Sequence, residues 1–222
     1  MLPGKRRDLP IKMDHRLIGI IDYGMGNIQS VYNALDFMGE NAKVVSVAEG
    51  LQDCSHVILP GVGAFPQAMR NLSQRNMILP IKAHIDAGKP FLGICLGMQL
   101  LADEGEEMEL TGGLGIIPGR VRQLDVSLHL PHVGWNNLSV KQEHPIFAGM
   151  KRGMDFYFVH SYFFDTADPR YILATTEYEK EFPCAVTNGR SAVAVQFHPE
   201  KSQGNGLKIL ENFCNWDGRT SC

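Results

Sequence analysis

Cys95 stands in Gly93-Ile94-Cys95-Leu96-Gly97, a nucleophile with glycine two residues before and two residues after it. That pattern suits a sharp strand-to-helix turn, where the nucleophile's backbone is strained and only small flanking residues allow close packing. A thiol at such a turn meets the free N–H groups and the positive macrodipole end of the following helix, which favour an anion. Far downstream the chain reads Gln196-Phe197-His198-Pro199-Glu200. At a strand end, residues i and i+2 face the same way, which sets His198 beside Glu200, and Pro199 holds His198 extended. An imidazole backed by a carboxylate is a base with its orienter: Glu200 fixes the tautomer and His198 takes the Cys95 proton. Each half alone has a plainer explanation, a buried cysteine in a glycine-rich turn or a surface His-Pro-Glu turn. Together, each closing a strand, they point to covalent acyl transfer.

A third segment, Pro60-Gly61-Val62-Gly63-Ala64, follows another apolar run and precedes a helix. Acyl-transfer sites of this shape take one oxyanion N–H from the residue after the nucleophile, here Leu96, and one from a neighbouring strand–helix loop. Gly61 and Gly63 would let that loop approach closely; an ordinary glycine-rich turn is the competing reading. Gln99 lies one helical turn beyond Cys95 and shares its face, although a solvated polar residue would look the same.

The elements that must position these groups alternate in the first half between short apolar runs and helical periodicity, the mark of βαβ units and a parallel sheet. Strands are expected over Leu17–Asp22, Lys43–Val47, His56–Pro60 and Phe91–Cys95. Asn27 should cap a helix with the apolar face Ile28, Val31, Leu35 and Met38, stopped by Gly39. Further helices are expected near Met77–Ala87 and over Leu96–Asp103. From Gly112 to Thr176 the pattern becomes short β pieces (Gly115–Ile117, Asn137–Val140, Asp155–Val159, Tyr171–Thr176) between Gly, Pro and Asn turns. Strands at Cys184–Asn188 and Ala192–Phe197 and a helix over Asn205–Trp216 close the chain. The expectation is an α/β sheet carrying an antiparallel extension in one domain over residues 17–217, with an arm at 1–16 and a tail at 218–222.

With 222 residues the chain can bury roughly 70–75% of its unfolded surface, enough for a core without disulfides or metal. A net charge of −3 with mixed signs offers no basic footprint for nucleic acid or membrane. Five cysteines without a C-x-x-C pair argue against a disulfide framework and a zinc site. The basic N-terminus has no apolar h-region and no apolar run is long enough to span a bilayer, so a cytoplasmic protein without metal or cofactor is expected.

Gly-Ile-Cys-Leu-Gly-Met-Gln followed by His-Pro-Glu resembles the class I, triad-type glutamine amidotransferases. Ile21–Asn27, Leu59–Phe65, His132–Asn136, Tyr157–Tyr162 and Gln196–Ser202 are most similar to the glutaminase-subunit family of imidazole glycerol phosphate synthases. The resemblance runs from Leu17 to Trp216 and implies a flavodoxin-like fold with a mostly parallel sheet. It implies that Cys95 attacks the side-chain carboxamide of L-glutamine, that Val62 and Leu96 hold the oxyanion, and that a γ-glutamyl thioester forms. It further implies that Gly61, Gly63, Gln99, Glu107, His160, Ser161 and Tyr162 bind glutamine. Trp135, Asn136, Tyr157 and Lys201 would face the ammonia-accepting partner. That partner would be a (β/α)₈-barrel cyclase in a heterodimer, whose products are imidazole glycerol phosphate and an aminoimidazole carboxamide ribotide in histidine biosynthesis. Core packing is the competing reading for Trp135 and the aromatic stretch Tyr157–Tyr162. Three alternatives stay open on the residues: the same chemistry feeding a sugar-amidinating partner in surface-polysaccharide synthesis, a dienelactone-hydrolase-like esterase, or an inactive scaffold.

Overall fold

Ile18–Ile21 (β1), His56–Gly61 (β3) and Phe91–Cys95 (β4) are buried at every position, as strands covered on both faces must be. The computed structural model describes residues 16–151 and 153–219. With Ala42–Val45 (β2) these strands form a parallel sheet in the order β2-β1-β3-β4. Helices Ile28–Phe37 (α1), Phe65–Gln74 (α2) and Ile78–Asp86 (α3) connect them, and the four-residue Leu96–Gln99 (α4) leaves β4 directly. Further along come Glu104–Gly105 (β5), Thr111–Gly112 (β6), Gly119–Gln123 (β7), His132–Asn137 (β8) and Ser139–Val140 (β9). Asp155–His160 (β10), Tyr162–Thr166 (β11), Ile172–Tyr178 (β12), Lys180–Thr187 (β13) and Ala192–Val195 (β14) follow, and helix Gln203–Asn215 (α5) ends the fold.

β14 joins β4 in parallel, and β13, β12 and β9 continue the sheet antiparallel, which gives the expected extension. β8 and β10 pair as a separate two-stranded ribbon, while β11, β7, β5 and β6 form a small third sheet. Two cores cover the main sheet. Phe65, Ala68, Leu72, Ile81 and Ile85 from α2 and α3 pack on one side. Val31 and Leu35 from α1 pack with Ile209, Leu210 and Phe213 from α5 on the other. Among the described residues no helix is long and apolar enough to cross a membrane.

Several local expectations change. Asn27 occupies the N-cap of α1, but its side chain makes no capping hydrogen bond. The helix after Cys95 stops at Gln99 instead of reaching Asp103. The N–H groups of Leu101 and Ala102 bond three residues back, to the Met98 and Gln99 carbonyls, and that of Asp103 leaves for the Gly119 carbonyl, while the carbonyls of Leu100, Leu101 and Ala102 accept from Leu114, Ile116, Ile117 and Gly115. For the same reason Gly115–Ile117 is not a strand. The nearby strand is β7, and β11 was not anticipated at all. Arg16, assigned by sequence to the arm, bonds to the Cys214 carbonyl and to Asn215 Oδ1 at the end of α5. The rest of the arm, and tail residues 220–222, lie outside the described residues.

His144 caps a short turn, where its Nδ1 accepts from the Ile146 N–H, and its ring meets Trp216 edge-on. Burial lowers its pKa to about 4, and burial likewise lowers His84 to about 4. A histidine depressed in the folded state contributes stability that is present above its unfolded pKa near 6.5 and lost as pH falls toward 4. Wild type should therefore lose urea resistance between about pH 6.5 and about pH 5. His144→Asn, which keeps a capping acceptor, should lose less over that window. Equal losses in the two proteins would remove His144 as a contributor.

Candidate active site

The site forms where neighbouring parallel strands end, the usual ligand edge of such sheets. Gly61 of β3 is paired with Cys95 of β4, and Val195 of β14 with Ile94, so three chain segments emerge side by side. Cys95 has φ 54° and ψ −111°, a strained conformation for a residue with a Cβ. The flanking glycines are dictated by close approach. A Cβ on Gly97 would lie 1.8 Å from the Leu59 carbonyl oxygen, and one on Gly93 would lie 2.6 Å from the Gly97 carbonyl oxygen. The elbow thus closes against β3 with no room for a methyl group.

His198 Nδ1 lies 2.8 Å from Glu200 Oε1, and both side chains are almost wholly buried. The pair does not sit on a strand, because β14 ends at Val195. Pro199 opens a short 3₁₀ turn over Pro199–Lys201, with His198 extended before it (φ −101°, ψ 96°). Burial by itself would lower the His198 pKa. The Cys95 sulfur and the Glu200 carboxylate outweigh it and raise the group to about 9. The structure therefore brings Cys95, His198 and Glu200 together, with the sulfur and the Nδ1-bound carboxylate both favouring imidazolium.

Gly61 packs on the elbow: a Cβ there would meet Leu96 Cβ at 2.9 Å and the Gly97 nitrogen at 3.0 Å. Val62 and Leu96 consequently follow the paired residues Gly61 and Cys95. Gly63 has φ +97°, which favours glycine, and Val62 is exposed. Because α4 is only four residues long, its macrodipole is smaller than the sequence suggested, and nearby backbone N–H groups carry more of any anion stabilisation.

The expected glutamine-binding residues divide into two groups. Glu107 accepts a hydrogen bond from the Phe65 N–H at the start of α2 (2.7 Å). Tyr162 is half-buried; burial, and then the Glu107 charge, raise its pKa. Ser161, its neighbour, is also half-buried. Gln99 and His160 are buried and already bonded within the protein. Gln99 Nε2 donates to the Tyr162 carbonyl (2.9 Å) and to Gln196 Oε1 (3.1 Å). His160 Nδ1 donates to the same Tyr162 carbonyl (2.8 Å), and its Nε2 lies 3.2 Å from His132 Nδ1.

On the outer side of the ribbon Trp135 meets Tyr157 edge-on at 6.0 Å, and Lys201 Nζ lies 5.8 Å from the centre of the Tyr157 ring. Trp135 is half exposed, so core packing does not account for it. Asn136 donates to the Glu177 carbonyl at 2.7 Å. Sequence reasoning missed roles for two residues that touch the centre. Gln196 Nε2 donates to Cys95 Sγ at 3.7 Å. The buried Tyr23 hydroxyl, its pKa raised first by burial and then by Cys95, packs on Gly61. The available signal for Gln196 was its position, where β14 runs out beside the nucleophile.

A parallel sheet that sets a cysteine elbow beside a buried His–Glu pair defines the class: the chain belongs to the class-I glutamine amidotransferases, whose family model matches residues 19–216. Within that family it is 49% identical to imidazole glycerol phosphate synthase subunit HisH of Caldanaerobacter subterraneus subsp. tengcongensis, over 89% of this chain and 97% of that one. It is 47% identical to the subunit of the same name from Methanosarcina acetivorans, over 88% and 96% of the two chains. The fold is also that of PurLQS from Thermotoga maritima (TM-score 0.73, 19% identity, 90% of this chain and 98% of that one). A crystal structure of a glutamine amidotransferase superposes at TM-score 0.70 with 21% identity, covering 88% and 98%.

Proposed function

We propose that this chain is the glutaminase subunit of an imidazole glycerol phosphate synthase, hydrolysing L-glutamine and passing ammonia to a (β/α)₈-barrel cyclase in histidine biosynthesis. The observation that carries the chemistry is the buried Cys95–His198–Glu200 constellation at one sheet edge; the similarity to HisH subunits carries the pathway.

Cys95 thiolate attacks the carboxamide carbon, and the C=O electron pair moves to oxygen, where the N–H groups of Leu96 and Val62 receive it. The C–N bond then breaks as His198 imidazolium gives its proton to the departing nitrogen, which leaves ammonia and a γ-glutamyl thioester. His198, now neutral, takes a proton from water as the hydroxide equivalent adds to the thioester carbon. The C–S bond breaks, and glutamate and the thiolate are regenerated. Glu200 holds the imidazole through Nδ1. Gly61, Gly63, Glu107, Ser161 and Tyr162 line the glutamine side, while Gln99 and His160 act from behind it through the Tyr162 carbonyl. Ammonia in water is largely ammonium, which is not nucleophilic, so a dry exit past Trp135, Asn136, Tyr157 and Lys201 into a partner suits the product.

Gly63 allows the Gly61–Gly63 loop more than one peptide orientation. One oxyanion donor turned away costs roughly 10²–10³-fold in turnover, about 3–4 kcal/mol, within reach of partner coupling. The isolated chain should therefore hydrolyse glutamine slowly. A cyclase partner loaded with its own substrate should raise the rate by about that factor and yield imidazole glycerol phosphate. A steady-state assay of glutamate release with and without the partner decides it. Full-speed turnover by the isolated chain, indifferent to any cyclase, would refute the coupling and favour a free-standing amidase.

A further inference from the structure

A line of hydrogen bonds joins the ribbon's inner face to the nucleophile. His132 and His160 sit opposite each other across β8 and β10, behind a surface that exposes Val133 and Trp135. His160 Nδ1 is 2.8 Å from the Tyr162 carbonyl oxygen. A carbonyl only accepts, so Nδ1 carries the proton and Nε2 of the neutral ring is an acceptor. His132 Nδ1, 3.2 Å away, must then donate to it. Burial keeps both rings neutral, lowering His132 and pulling His160 down to about 3. His132 is also stacked between Phe158 and Tyr178. Its Nε2 faces the Asn136 amide at 3.5 Å.

Inward, the Tyr162 carbonyl takes a second bond from Gln99 Nε2, which also reaches Gln196 Oε1. With its oxygen so engaged, Gln196 turns Nε2 toward Cys95 Sγ at 3.7 Å. Each ring tautomer and amide orientation is thus set by its neighbour. β10 also touches the centre through its backbone. The Val159 carbonyl faces Cys95 Sγ at 3.9 Å, and the Tyr157 carbonyl accepts from the His198 N–H at 2.9 Å.

We propose that His132 and His160 are positioning residues: through the Tyr162 carbonyl, Gln99 and Gln196 they fix the Cys95 sulfur and make the β8–β10 ribbon the mechanical link between its outer aromatics and the nucleophile. This rests on the thioester chemistry above. A pair of histidines that only filled the core would contribute to stability and leave the thiol's reactivity alone.

His132→Phe keeps a ring between Phe158 and Tyr178 but removes the donor to His160, whereas His132→Asn returns an amide donor near the Nδ1 position. The measurements are thermal midpoint, kcat and KM for glutamine, and the rate at which iodoacetamide alkylates Cys95 in the isolated chain. His132→Phe should stay folded, with kcat and alkylation each down roughly tenfold, the scale of one neutral hydrogen bond read as a rate. KM should hold within about twofold, and His132→Asn should recover most of the loss. Wild-type rates in His132→Phe, or a loss that tracks the thermal midpoint and is not recovered by asparagine, would overturn the proposal. If His132→Phe does not fold, Gln196→Met tests the line from its other end, and an unchanged alkylation rate there overturns it equally. Alkylation needs no glutamine. A wild-type chain that alkylates at Cys95 yet hydrolyses no glutamine would refute the glutaminase reading, and the variants would still decide the role of His132.

Discussion

Cys95→Ala should lower glutamine hydrolysis by at least roughly 10⁴-fold while leaving the circular dichroism spectrum unchanged. Removing the nucleophile of a triad removes the covalent route itself, and losses of that order or larger are typical. The fold should tolerate the change, because alanine deletes only a sulfur from a position whose strain lies in the backbone. Cys95→Ser should be nearly as inactive, since an alcohol has no accessible anion at neutral pH. Labelling gives an independent check. Cys54, Cys184 and Cys214 are fully buried, and burial raises the first two thiols above their ordinary range, whereas Cys95 retains 6% exposure beside an imidazolium. A glutamine-like diazo-ketone should therefore modify Cys95 ahead of these three. Near-wild-type turnover in Cys95→Ala, or labelling spread evenly over the cysteines, would remove the nucleophile from this position.

His198→Ala should be nearly as damaging as loss of the thiol, whereas Glu200→Gln should cost roughly 10²–10⁴-fold. His198 moves the proton in both half-reactions; Glu200 holds the ring through the 2.8 Å bond to Nδ1 and supports its charge. The amide keeps an acceptor oxygen but loses the charge, so some orientation survives. The same pair has a signature in stability. Burial works against the charged imidazole, but sulfur and carboxylate prevail and the folded pKa stands near 9. A group raised above its unfolded value near 6.5 contributes stability that is present below 6.5 and lost as pH climbs through 9. Glu200→Gln should shrink that alkaline loss, measured as urea midpoint against pH. Equal kinetic losses for the two variants, or an active His198→Ala, would place the base elsewhere.

Legibility in the sequence followed the range of the forces involved. The elbow could be read because its requirement is local: a cysteine at positive φ between two glycines that have no space for a Cβ. The His198–Glu200 contact was equally readable, since two residues and a proline fix it, although the turn proved to be 3₁₀ and not a strand end. Strands β1, β3, β4 and β14 announced themselves as unbroken apolar runs. The short length of α4 was hidden, because the Asp103 N–H that would extend it goes to the Gly119 carbonyl, a partner the helix's own residues do not encode.

What the sequence determined by itself was the chemistry-bearing backbone, set by sterics within a few residues. What only the tertiary structure decided was how that chemistry is held. Gln99 meets a carbonyl 63 residues away and an amide 97 residues away, and His160 meets His132 across a ribbon. Those partners depend on sheet order and on which buried polar groups remain to be satisfied. Burying an amide or imidazole without a partner is costly, so the fold supplies Gln99 and His160 with partners inside the protein, the Tyr162 carbonyl among them.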